Sequence, residues 1–263
     1  MGRITGTTRL LAVLGDPIEQ VRAPELVNPL LDRLGRDAVL VPVHVRPDDL
    51  AEVVGGLRRI GNLDGLLITV PHKFEICRHA DELAPAAAFT GSANAVRREP
   101  DGRWRADNFD GVGFVRGLRA AGHEPRGRRF ALVGAGGAGI ALAAAVLEAG
   151  AARLAVCDTD GERVKALLAR LGERWPGRVS GSTEPRLEDA DVAVNATPLG
   201  LRPGDPLPFD PGALPAGALV ADIVMKSRQT PLLRAAAARG LAVHHGLAML
   251  DHQLDCYRDF FRL

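Results

Sequence analysis

Aromatic side chains are scarce in this chain of 263 residues: 4% of the total, with one tyrosine and two tryptophans. So few rings cannot build the stacking platforms that single-stranded nucleic acid requires. Charge of one sign is also missing. Lys and Arg number 33 against 32 Asp and Glu, so no global basic field draws in a polyanion or an anionic membrane. The three cysteines, Cys77, Cys157 and Cys256, lie far apart without CxxC spacing, which argues against a disulfide framework or zinc site, and no metal is expected. The first thirty residues hold no basic stretch followed by a signal-length apolar run, and no apolar run reaches membrane length. A cytoplasmic chain acting on a small molecule is the expectation, with no nucleic-acid or membrane partner. Oligomeric state stays open, a homodimer included.

What the chain does have is a repeating rhythm. Apolar runs alternate with helical patterns, which predicts an α/β fold. Strands are expected at Leu10–Leu14, Ala38–Val43 and Gly65–Val70, with helices over Pro24–Leu34, Asp48–Ile60 and Asp81–Phe89. A hairpin of Ala93–Arg98 and Trp104–Asp107 turns at Pro100-Asp101-Gly102. After a joining helix at Gly111–Ala121 the rhythm restarts. Strands are expected near Phe130–Val133, Leu154–Asp158, Val192–Asn195 and Leu219–Asp222, and helices at Gly137–Ala149, Gly161–Arg170 and Pro231–Ala238. The amphipathic Leu247–Leu263 would pack back across the interface between the lobes or on the first lobe.

The second lobe opens with Gly134-Ala135-Gly136-Gly137-Ala138-Gly139, between the apolar run Phe130–Val133 and a helix-forming stretch. Strand, glycine-rich turn and helix, in that order, let backbone N–H groups approach a pyrophosphate at the positive end of the helix. The next strand ends in Asp158, about 20 residues downstream, where a carboxylate can accept from both ribose hydroxyls. The residues therefore predict a Rossmann-type doubly wound domain of residues 113–246 and a second α/β domain of residues 1–112 plus 247–263. NAD is preferred over NADP, with Gly134, Gly136, Gly137, Ala138 and Asp158 as its contacts.

Several segments together resemble the shikimate dehydrogenase family. They are Val13-Leu-Gly-Asp-Pro-Ile18, Thr69-Val-Pro-His-Lys73, Gly91-Ser-Ala-Asn94, Asp107-Asn-Phe-Asp110-Gly-Val-Gly113, Val133-Gly-Ala-Gly-Gly137, Val194-Asn-Ala-Thr197 and Gly246-Leu-Ala-Met-Leu250 with Gln253. They run in family order across essentially the whole chain. The resemblance implies that residues 1–112 plus 247–263 are the substrate domain, and that the reaction is reversible hydride transfer between a ring secondary alcohol and a nicotinamide. It also implies that Lys73 and Asp110 move the hydroxyl proton, that Asn94 and Gln253 hold ring hydroxyls, and that Asn195, Ala196 and Thr197 line the nicotinamide side. His72 is expected to be a loop residue rather than a second base.

Departures from the family pattern cluster at one end of the substrate. Two serines that hold the shikimate carboxylate correspond to Val21 and Ala23, a threonine to Phe109, a tyrosine to Met225 and an asparagine to Leu67. Burying a carboxylate against such residues would cost several kcal/mol. The expected substrate is therefore a small hydroxylated ring other than shikimate, such as a cyclic diol. NADP-using members carry Asn-Arg-Thr where this chain has Cys157-Asp158-Thr159. The alternatives are a true shikimate/quinate dehydrogenase that pairs Arg22 with the carboxylate, aided by Gln20, and an idle NAD-binding sensor.

Overall fold

The structure, a computed structural model, describes residues 4–263. Its chain order is β1 (Arg9–Gly15), α1 (Ala23–Arg33), β2 (Ala38–His44), α2 (Leu50–Leu57), β3 (Leu63–Ile68), β4 (Glu82–Leu83), α3 (Pro85–Thr90), β5 (Ala95–Arg98) and β6 (Trp104–Asp107). Then follow α4 (Asp110–Ala120), β7 (Arg129–Val133), α5 (Gly137–Glu148), β8 (Arg153–Cys157), α6 (Gly161–Arg174), β9 (Val179–Ser182), β10 (Val192–Asn195), β11 (Leu219–Asp222), α7 (Pro231–Ala238), β12 (Ala242–His245), α8 (Leu247–Asp251) and α9 (Leu254–Phe261). The fold is α/β, with two compact units: one holds the described residues through Phe109 together with Gln253–Leu263, the other Asp110–His252.

In the first unit the strands order β2-β1-β3-β5-β6-β4. β1 pairs in parallel with β2 and β3, then β5 and β6 add as the expected hairpin. Leu14, Leu66, Ile76 and Trp104 are buried in its core. The helix expected over Asp81–Phe89 starts only at Pro85. Asp81 N donates to Trp104 O and Ala84 N to Ala106 O, so residues 81–84 run as an extended edge beside β6, and Pro85 then supplies a preset first helical residue. The expected helix from Asp48 is likewise split, into a 3₁₀ turn at Pro47–Asp49 and α2. At the C-terminus α9 lies on β5 and α1. There Arg97 donates to Phe260 O and stacks its guanidinium 4.9 Å from the Phe260 ring centre.

The second unit is a parallel sheet ordered β12-β11-β10-β7-β8-β9. Counted within the unit this is 6-5-4-1-2-3, the order of a dinucleotide-binding fold. The connection reverses beside β7, so the carboxyl ends of β7, β8 and β10 define the ligand position. The residues 247–252 fall in this unit and not with the first, because α8 packs on α4 and β12. A Cβ at Gly117 of α4 would stand 3.1 Å from Ala248 O, so the absence of a side chain there permits that approach. The two compact units part at 109/110 and 252/253, within a few residues of the expected 112/113 and 246/247. No helix among the described residues is long and apolar enough to cross a membrane.

Candidate active site

In the second unit the glycine turn is built by close backbone contacts. Gly134 leaves β7 with φ +109°, a conformation that disfavours any side chain, and a Cβ there would meet Ala196 and Thr197 backbone atoms at 2.7–2.9 Å. Its N–H donates to Cys157 O at 2.7 Å, and Ala196 N donates to Val133 O at 2.7 Å, so the turn is pinned to the ends of β8 and β10. A Cβ on Gly139 would fall 2.0 Å from Gly134 O. Gly136 differs: its Cβ would meet nothing within 4 Å, and it opens α5 with no side-chain cap. Open space beside the start of a twelve-residue helix is what a pyrophosphate requires, so these residues fit a dinucleotide. Gly137 and Ala138 follow in the first turn of that helix, both half-buried.

Asp158 stands beside this turn. Its Oδ2 accepts from Ala135 N at 2.7 Å and its Oδ1 from Asp160 N at 3.0 Å. The carboxylate is therefore held against the glycine turn itself. The cap of α6 falls to Asp160, which accepts from Glu162 N and Arg163 N, so Asp158 is not the helix cap.

Asn195 is wholly buried. Its Nδ2 donates to Leu199 O (3.1 Å) and Asp222 Oδ1 (3.0 Å), and its Oδ1 accepts from Thr197 N (2.9 Å) and Thr197 Oγ1 (2.7 Å). It shapes the loop after β10 and leaves Ala196 and Thr197 half-buried at the surface of the turn. Asp222 also accepts from Thr230 Oγ1 (2.6 Å) and Val224 N (3.0 Å), and burial pushes its carboxyl above the ordinary carboxylate range. Met225 follows in the next loop, half-buried.

In the first unit Lys73 sits in the loop after β3. His72 is buried, with Nε2 2.8 Å from Val45 O, while its N–H donates to Thr69 O. It is a loop residue, as expected, and its ring is buried as an anchor beneath that loop. Lys73 O accepts from Ala93 N at 2.8 Å, which ties the loop to residues 92–94. Asn108 Nδ2 donates to Ser92 O at 3.0 Å, and Phe109 N donates to Asn94 Oδ1 at 2.9 Å. Residues 73, 92–94 and 108–109 therefore form one bonded cluster. Asp110, the next residue, is buried and opens α4.

Asn94 Nδ2 donates to Gln253 Oε1 (3.2 Å) and Tyr257 Oη (3.3 Å), and Tyr257 Oη donates to Gln253 Oε1. Asn94 and Gln253, both implied by the family resemblance, are in one network. Tyr257 was not foreseen. The available signal was that the chain's only tyrosine lies four residues after Gln253, one helical turn on.

Val21 and Ala23 flank Arg22 at the start of α1, and Leu67 is buried in β3. The Phe109 ring packs edge-on against Tyr257 (5.9 Å between centres) and Phe260 (5.2 Å). The Arg22 guanidinium pairs with Glu25 at 2.5 Å.

The sequence pattern described as the shikimate dehydrogenase substrate binding domain matches residues 13–96. A shikimate dehydrogenase (NADP(+)) of Rubrobacter xylanophilus is 41% identical over 257 residues, covering 95% of this chain and 89% of that protein. Among solved structures, the 5-ketofructose reductase of Gluconobacter sp. strain CHM43 superposes with a TM-score of 0.82 at 26% identity, over 97% of this chain and 92% of that one. The quinate dehydrogenase of Corynebacterium glutamicum, in complex with NAD, gives 0.83 at 29% identity, over 97% and 94%. With its motifs in order, its glycine turn and a relative 41% identical over nearly its full length, the chain belongs to the shikimate dehydrogenase family.

Proposed function

We propose that this chain is an NAD-preferring dehydrogenase that oxidises a secondary alcohol on a small, neutral, hydroxylated ring, and reduces the ketone in reverse. When bound, the nicotinamide supplies the hydride acceptor. As the carbinol carbon gives up hydride, its hydroxyl proton must leave too. Lys73 holds the substrate oxygen by hydrogen bond and the Asp110 carboxylate takes the proton. In reverse, the lysine ammonium polarises the carbonyl. Asn94 and Gln253 place the remaining hydroxyls.

The observation that carries the substrate class is that the positions matching the family's carboxylate donors hold Val21, Ala23, Leu67, Phe109 and Met225. A carboxylate placed there would lose hydration without gaining donors. Arg22, the cation between Val21 and Ala23, pairs with Glu25. The Gluconobacter relative, named for reducing a keto-sugar, supports a neutral substrate on this architecture. NAD follows from Asp158: a carboxylate beside the glycine turn accepts from ribose hydroxyls and repels a 2′-phosphate. The C. glutamicum relative binds NAD, whereas the R. xylanophilus relative is named for NADP(+).

The second reading is shikimate or quinate oxidation, favoured by the curated relatives' names. Initial rates at saturating NAD with shikimate, quinate and cyclohexane-1,2-diol separate the two. Turnover of the diol, with negligible rates on both acids, is the expected result; fast shikimate turnover overturns the reading. Lys73→Ala should cost about 10²–10⁴ in kcat while leaving dinucleotide binding intact. An idle NAD-binding sensor would show no turnover to lose.

A further inference from the structure

The single tyrosine of the chain is buried in the substrate half of the site. Tyr257 Oη accepts from Asn94 Nδ2 and donates to Gln253 Oε1, so a phenol hydroxyl bridges the two carboxamides assigned above to substrate hydroxyls. Asn94, Gln253 and Tyr257 are 3%, 1% and 4% exposed, so this bridge is sheltered from competing water. The Tyr257 ring is held between Phe109 on one side and Phe261 on the other, with centres 5.9 and 6.3 Å away. Phe261 in turn lies over Gly65, where a Cβ would come within 2.5 Å of its ring. The hydroxyl is thus fixed by packing and costs nothing further to order when a ligand arrives.

A bridging hydroxyl that donates to one carboxamide and accepts from the other is what a ring hydroxyl of the substrate would offer the same pair. We infer that Tyr257 is a specificity-determining residue whose phenol supplies, from the protein, one of the hydroxyls that the Asn94–Gln253 pair would otherwise take from the ligand. The site then favours a ring with two adjacent hydroxyls over one with three. This rests on the ring-alcohol dehydrogenase reading given above, and narrows its substrate class by hydroxyl count.

Tyr257→Phe removes the oxygen and keeps the ring between Phe109 and Phe261. Wild-type enzyme should favour cyclohexane-1,2-diol over cyclohexane-1,2,3-triol. The variant should lower KM for the triol and raise it for the diol, shifting the ratio by on the order of tenfold with kcat little changed. A merely structural tyrosine would move stability and leave the ratio alone. Because the chain has one tyrosine, ¹³Cζ-tyrosine labelling gives one NMR signal and needs no variant. In the presence of NADH, which prevents alcohol turnover, bound diol should shift that signal.

An unchanged triol-to-diol ratio, or a bound polyol that leaves the tyrosine signal in place, overturns the inference while the neutral-ring reading stands. Turnover of shikimate but of no neutral ring overturns that reading instead. Tyr257 is then judged on shikimate, a triol, whose KM should fall about tenfold in Tyr257→Phe; an unchanged KM refutes the inference there too.

Discussion

Two glycines three residues apart in the same turn should respond to alanine in opposite ways. At Gly139 a Cβ would lie 2.0 Å from Gly134 O and 3.0 Å from Gly134 C. Ordinary contact begins near 3.4 Å, so the turn and the helix must part by about 1.4 Å. The turn cannot recede freely, because Gly134 N is bonded to Cys157 O and a Cβ-sized space beneath Gly134 is already filled by the Ala196–Thr197 backbone. Strain of this kind costs about 1–3 kcal/mol, or roughly 3–10 °C in the melting temperature of a domain this size. At Gly136 the same methyl meets nothing within 4 Å, and the backbone there is extended with negative φ. Gly136→Ala should therefore keep its melting temperature to within a few degrees, since replacing an N-cap glycine by alanine costs about 1 kcal/mol. Its methyl would nevertheless stand where the pyrophosphate must approach, and weaken NAD by on the order of tenfold or more. Thermal melts without cofactor, paired with NADH titration by fluorescence, give both numbers. Equal loss of stability in the two variants, or NADH affinity untouched in Gly136→Ala, would refute the assignment of this turn as the dinucleotide cradle.

Wild-type enzyme should use NAD with higher kcat/KM than NADP. Asp158→Asn, which can still accept from Ala135 N, should raise the NADP-to-NAD ratio roughly tenfold, the size of a charge repulsion across ~5 Å in a water-like medium; a wild-type preference for NADP rules the argument out. His244 is buried beside His245, His123 and Phe114, and burial, with like charge from His245, His123 and His252, lowers its pKa to about 4 from 6.5. Its folded-state pKa lies below the unfolded one, so the unfolded chain takes up the proton first as pH falls. Stability from this group is whole above pH 6.5 and declines by up to about 1.4 kcal/mol per pH unit toward pH 4. Urea melts at pH 7, 6 and 5 should show a smaller decline in His244→Phe than in the wild type.

The nucleotide half was legible in the sequence because its logic is local. Glycines at fixed offsets and an acid at the next strand end each declare a backbone requirement within a few residues. The strand order of the second sheet then follows from parallel pairing with short crossovers. Residues 81–84 were misread as helix because alanine-rich composition outweighs, in a local reading, the long-range pairing with Trp104 and Ala106 that keeps them extended. His72 is a loop residue, as expected, but its burial has no local signal. Its neighbours in sequence are loop residues, and only the carbonyl of Val45, 27 positions away, makes it a buried anchor. The bonds of the Asn195 side chain to Thr197 and Asp222 depend on the fold of its own loop and on β11, 27 positions away. The place of 247–252 in the second unit depends on Ala248 packing against Gly117, which no periodicity announces.

The apolar substitutions in the first unit are coupled, and this bears on any attempt to reverse them. In the proposed site Phe109 would stand where the family places a hydroxyl for the carboxylate, and its ring is turned onto α9, edge-on to both Tyr257 and Phe260. Its backbone N–H meanwhile orients Asn94. One residue therefore supports the hydroxyl end of the site with its ring and its amide while withholding a donor from the other end. Phe109→Thr alone should not create a shikimate dehydrogenase. It should remove the ring that braces Tyr257, cost about 1–3 kcal/mol for a half-buried aromatic, and raise KM for the diol. Restoring three donors together, as Val21→Ser, Ala23→Ser and Phe109→Thr, should lower KM for shikimate relative to the single variant, at a further cost in diol turnover. If Phe109→Thr by itself gave fast shikimate oxidation with undiminished diol activity, the two ends of the site would be independent and the coupling through Phe109 and Tyr257 would be wrong.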